Sequence, residues 1–108
     1  MEKRYNVITC EQLQSMLSDS SPLLLDCRKL NDYRTSHIDN ALRVHDGLVE
    51  SLLENGDREQ PLAIYCYHGH TSEHLAEAFS NAGFTQVFSL AGGYDAWQAR
   101  VASGADIP

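Results

Sequence analysis

Two short apolar runs constrain this chain more than any other feature. Pro22-Leu23-Leu24-Leu25-Asp26-Cys27 and Pro61-Leu62-Ala63-Ile64-Tyr65-Cys66 are each apolar at consecutive positions before turning polar. A strand exposed on one face alternates apolar and polar residues, whereas one buried on both faces is apolar throughout. Segments of helical period lie between these runs, and parallel neighbours need such crossover connections. The expected class is α/β with a parallel sheet, as one domain over 1–108, because 108 residues leave no room for a second core.

The remaining elements follow from local chemistry. Tyr5 to Ile8 reads as a first strand, and Thr9 with Gln12 forms a capping box for a helix that turns Cys10, Leu13 and Leu17 inward. Ser20-Ser21-Pro22 stops that helix, and Asn31 to Thr35 gives one short helical turn. Ala41 to Val44 is a short strand. Asp46 is the expected cap of a helix carrying Leu48, Leu52 and Leu53 and ending at Asn55-Gly56-Asp57. Helical period returns at Ser72, with Leu75, Phe79 and Ala82, and Gly83 closes it. Val87 to Leu90 is the last strand. Gly92-Gly93 is a turn before Tyr94, Trp97 and Val101 at helical spacing, and 102–108 is expected to fray.

Eight Lys and Arg stand against fifteen Asp and Glu, a formal charge of −7. A chain with no basic footprint is a poor partner for nucleic acid or an anionic membrane. Leu23-Leu24-Leu25 and the other apolar runs are too short to cross a bilayer. The segment Met1 to Asn6 has no apolar stretch after its charges, so no signal peptide is expected. Three widely spaced cysteines, Cys10, Cys27 and Cys66, make an odd number and no Cys-x-x-Cys pair, which suits free thiols in a cytoplasmic protein.

Cys10 and Cys27 read as small buried hydrophobes, one on a helix face and one on a strand. Cys66 differs. It sits where a buried strand ends, and in open α/β sheets ligands bind beyond that end. The loop Tyr67-His68-Gly69-His70-Thr71-Ser72 follows, and a helix begins about five residues after the cysteine. A helix N-terminus offers unpaired N–H groups and partial positive charge, and a loop bent around the sulfur adds more. Gly69 permits the positive φ that such a bend needs. The expected result is an exposed thiol with a depressed pKa, a nucleophile. No Lys or Arg lies between Arg58 and Arg100. The field would come from amides, from the Thr71 and Ser72 hydroxyls, and from His68, His70 and His74, which titrate near neutrality. These histidines lack a carboxylate or second thiolate at ligand spacing, so no metal is expected.

Four segments in order resemble the rhodanese family of sulfurtransferases, its small single-domain thiosulfate sulfurtransferases in particular. Asp26-Cys27-Arg28 resembles the family's Asp-x-Arg, and His37-Ile38-Asp39-Asn40-Ala41 its Gly-His-Ile-x-x-Ala, with Ser36 in place of the glycine. Cys66 to Thr71 resembles the six-residue catalytic loop, and Gly92-Gly93-Tyr94-Asp95-Ala96-Trp97 the closing Gly-Gly-aromatic-x-x-Trp signature. The resemblance implies a five-stranded parallel sheet with helices on both faces. It also implies a Cys66 persulfide formed from thiosulfate, held by the N–H groups of Tyr67 to Ser72 and passed to cyanide or a dithiol acceptor, such as a thioredoxin-like protein. No cofactor is implied, and the expected state is a monomer or weak homodimer. Thr71 stands where many relatives carry a cation, so weak capture of the thiosulfate dianion is expected. Arg34 replaces a residue that is often acidic. Asp26 and Arg28 are expected to tie loops together, since buried charges need partners.

Two alternatives stay open. One is a non-enzymatic interaction module or persulfide carrier. The other is a cysteine phosphatase or arsenate reductase, which needs an arginine where Ser72 stands.

Overall fold

The computed structural model describes residues 5–102. Met1 to Arg4, and the expected frayed tail apart from Ala102, lie outside them. The order is β1 (Asn6–Ile8), α1 (Cys10–Asp19), β2 (Leu23–Asp26), α2 (Leu30–Thr35), β3 (Leu42–Arg43), α3 (Asp46–Asn55), β4 (Leu62–Tyr65), α4 (His70–Asn81), β5 (Val87–Leu90) and α5 (Gly93–Ala102). The sheet runs β1-β5-β4-β2-β3 with every neighbouring pair parallel. Five parallel strands with helices on both faces match the expectation.

Side-chain alternation along the strands divides the core in two. Leu24, Ala63, Tyr65 and Leu90 meet Cys10 and Leu13 of α1 and Tyr94 and Trp97 of α5 on one face. Leu25, Leu62, Ile64 and Val87 meet Ala76 and Phe79 of α4, with Leu48, Val49 and Leu52 of α3 beside them, on the other. Every residue of β4 is buried, which accounts for its unbroken apolar run.

Caps set most boundaries. The Thr9–Gln12 capping box is present in both directions. Ser21 turns the chain with φ +46 after α1, and Gly83 does so with φ +103 after α4. Three local expectations are corrected. The cap of α3 is His45, whose ring nitrogen accepts from the Leu48 N–H, and Asp46 is already inside the helix. Helix α4 begins at His70, two residues before its apolar period shows, because His70 and Thr71 are solvent-facing in the first turn. Val101 is exposed, since α5 leaves the core after Trp97.

The topology positions the site. The segment after β2 leaves toward α2, whose Tyr33 packs on the α1/α5 face, while the segment after β4 leaves toward α4 on the opposite face. Adjacent parallel strands whose connections depart to opposite sides open a crevice at their carboxyl ends. Cys66 follows β4 at that crevice. Among the described residues no helix is long and apolar enough to cross a membrane.

Candidate active site

The loop after β4 is short because α4 starts early. Only Cys66, Tyr67, His68 and Gly69 separate strand from helix. Gly69 caps the helix with φ +108, the left-handed conformation that brings its own N–H back toward the cysteine. The Gly69 N–H lies 3.1 Å from Cys66 Sγ and the Ser72 N–H 3.3 Å from it. The Ser72 hydroxyl stands 3.4 Å from the same sulfur. His70, Thr71 and Ser72 occupy the first turn of α4, where N–H groups have no acceptor within the helix.

Helix α5 arranges the other side of the loop. The Tyr94 N–H donates to the Cys66 carbonyl at 2.8 Å and the Asp95 N–H to the Tyr67 carbonyl at 3.2 Å. The Cys66 and Tyr67 carbonyls are thus taken up by the N-terminus of α5, while the Gly69 N–H is turned to the sulfur. This contact explains the Gly92-Gly93 pair. Both have positive φ, and a Cβ on Gly93 would sit 2.5 Å from the carbonyl oxygens of Cys66 and Tyr67. Tyr67 reaches across the crevice, its hydroxyl bonded to Asp32 and accepting from the Lys29 N–H.

Cys66 is buried at 3% exposure, which corrects the expected exposed thiol. The inward turn of the loop that supplies the N–H bonds also covers the sulfur. Burial alone pushes a thiol pKa up. Here it is outweighed by the Ser72 hydroxyl and by the N–H groups of Ser72, Gly69 and His68, so the pKa falls below its ordinary value. Cys10 is buried as expected, whereas Cys27 lies just past β2 and is only half-buried. Burial raises the pKa of both, outweighing one backbone hydrogen bond and the Arg100 charge at Cys10.

The histidines contribute less than their number suggests. His68 is exposed, its Nδ1 3.0 Å from the Asp95 carboxylate. His70 and His74 are exposed on α4. No histidine ring is among the groups lowering the Cys66 pKa. Thr71 is exposed in the first turn of the helix.

Ser89 belongs to the site and was not singled out in the sequence. Its hydroxyl lies 2.8 Å from that of Ser72, whose hydroxyl also contacts the Gly69 carbonyl at 3.3 Å. The available signal was one buried hydroxyl in the otherwise apolar Val87-Phe88-Ser89-Leu90.

Asp26 and Arg28 tie loops together, as expected. Asp26 is fully buried, Arg28 nearly so, and they pair at 2.9 Å. Arg28 also donates to the Ser36 carbonyl and lies 3.9 Å over the Tyr94 ring. Among the described residues no cluster of His, Cys, Asp and Glu could hold a metal ion.

A parallel sheet with a strand-end cysteine facing a helix N-terminus is the architecture of the rhodanese-like domain. The model of that family matches residues 9–100, and the chain belongs to it. It is 32% identical over 95 residues to the thiosulfate sulfurtransferase GlpE of Coxiella burnetii, covering 88% of this chain and 89% of the relative. The human single-domain sulfurtransferase TSTD1 superposes with a TM-score of 0.76 at 20% identity, over 87% of this chain and 96% of that one. A rhodanese-like domain from Anabaena sp. gives 0.75 at 24%, over 92% and 75%. At these identities the two structures speak for the fold.

Proposed function

We propose that this sulfurtransferase-family protein is a thiosulfate sulfurtransferase working through a persulfide on Cys66. The thiolate attacks the outer sulfur of thiosulfate, the sulfur–sulfur bond breaks, and sulfite leaves with the electron pair. The sulfane sulfur stays on Cys66 as a persulfide. Cyanide, or a thiol such as that of a thioredoxin-like dithiol protein, then attacks that sulfur and restores the thiolate. The two half-reactions share one nucleophile, giving ping-pong kinetics.

The observation that carries this reading is the donation to Cys66 Sγ by the Gly69 and Ser72 N–H groups, with the Ser72 hydroxyl 3.4 Å away, accepting from the thiol and able to donate once the thiol is ionised. Such donors are fixed before reaction, so they stabilise the charge without reorganising. Tyr67, His68, His70 and Thr71 complete the loop and supply N–H groups for the added sulfur. No metal or organic cofactor enters the reaction. The name of the Coxiella relative supports thiosulfate as donor. Three free thiols suit a cytoplasmic setting. The phosphatase alternative gains nothing, because Ser72 occupies the place of the arginine that a phosphoryl dianion needs.

The test is formation of thiocyanate and sulfite from thiosulfate and cyanide. The parent is expected to turn over with a ping-pong pattern and Cys66→Ala to be inactive. Equal turnover in Cys66→Ala would refute the assignment.

A further inference from the structure

Cys27 is a second thiol beside the site that the proposed turnover leaves idle. Asp26 on β2 and Tyr65 on β4 are register partners, and the Cys27 N–H donates to the Tyr65 carbonyl at 2.8 Å. Cys27 and Cys66 each follow that pair by one residue. Cys27 packs on the face covered by α3 and α4, and side-chain alternation carried one residue past β4 would turn Cys66 to the same face. Neighbouring strands lie about 4.8 Å apart, within the Cα separations of about 4.4–6.8 Å that disulfides span. Cys27 also opens on a groove lined by Val44, Val49, Thr71, His74 and Leu75. Its thiol is pushed up to about 12 by burial first, then by the charges of Cys66 and Asp26. It therefore rests with its proton.

We infer that Cys27 is an internal acceptor for the Cys66 persulfide, closing a Cys27–Cys66 disulfide and expelling the sulfane sulfur as hydrosulfide. This rests on the persulfide reading above. The Cys27 sulfur bonds to Sγ of Cys66, the bond from Sγ to the sulfane sulfur breaks, and its electron pair leaves with that sulfur. The Cys27 proton goes to the departing sulfur, so one thiol and one persulfide anion become one disulfide and one hydrosulfide. Thiosulfate is the oxidant: summed over both steps, it and two protein thiols give sulfite, hydrosulfide, the disulfide and a proton. The leaving sulfur departs from the amide cradle, which stabilises its growing charge. A dithiol reductant entering the groove at Cys27 returns both cysteines to thiols.

The test uses the full chain, treated with thiosulfate, freed of excess donor and held without external thiol. The parent is expected to lose two hydrogens and release stoichiometric hydrosulfide, while Cys27→Ser stays one sulfur heavier. If both proteins keep the added sulfur and release no hydrosulfide, the inference fails and the sulfurtransferase reading stands. If neither gains sulfur, the persulfide reading fails and takes the inference with it. Diamide oxidation of the parent checks the geometry without thiosulfate. A proteolytic fragment joining Cys27 to Cys66 supports the inference, and its absence while both thiols remain alkylatable overturns it.

Discussion

Ser72→Ala isolates the hydroxyl from the other donors to Cys66. Its Oγ lies 3.4 Å from the sulfur, and the Ser72 and Gly69 N–H groups remain when it is removed. A hydrogen bond to a charged group is worth about 1.5–3 kcal/mol, and one pKa unit corresponds to about 1.4 kcal/mol. The full bond would therefore be worth about one to two units. This hydroxyl is shared with Ser89 and the Gly69 carbonyl, so the lower end applies and the Cys66 pKa should rise by about one unit. At a pH below both values the thiolate fraction then drops about tenfold. Iodoacetamide alkylation rate against pH reads this directly. In the parent the rate should climb through a pKa below the ordinary thiol value; in the variant that limb moves to higher pH. Since the folded pKa is depressed, the thiolate adds stability above the unfolded pKa, and this is lost as pH falls through the folded value. The variant should therefore show a smaller pH-dependent gain. An unchanged alkylation profile would refute the reasoning, leaving amides alone to set the field.

Other perturbations address the frame around the sulfur. Gly93→Ala places a Cβ against the carbonyls of the loop, so thiosulfate:cyanide turnover should fall by at least about tenfold. Gly47→Ala, whose Cβ would meet the His45 ring at 3.4 Å at the start of α3 and nothing in the Cys66 loop, should leave turnover as it is. Arg28→Met strands the buried Asp26 carboxylate and should cost about 3–5 kcal/mol in denaturant unfolding, with Asp26→Leu added in the same chain restoring most of it. His68→Ala removes an exposed contact with Asp95, worth under about 1 kcal/mol, and should leave the Cys66 alkylation profile in place.

The fold was legible because its strands are marked by composition. The unbroken apolar run of β4 could only be a strand covered on both faces, and the Thr9–Gln12 pair fixed the start of α1 to the residue. Legibility fell where polar residues carry structure. His70 and Thr71 lie in the first turn of α4 but face solvent, so apolar period alone began the helix at Ser72. His45 caps α3 through a ring nitrogen, which competes poorly with an adjacent aspartate when only sequence is read. Cys66 was recognisable by its strand-end position, but its burial was not. Cover depends on Gly69 turning the loop inward and on α5 binding the Cys66 and Tyr67 carbonyls, contacts made between segments far apart in the chain. Ser89 was hidden for the same reason, since its partner Ser72 is joined to it only by the pairing of β5 beside β4.

The most direct measurement is peptide-level mass analysis of Cys27→Ser after thiosulfate, with that variant also carrying Cys66→Ala as control. The Cys27→Ser chain should carry a single added sulfur on the peptide containing Cys66, and the doubly substituted chain none. Added sulfur on Cys10, or equal gain by both chains, would contradict a cradle built around Cys66.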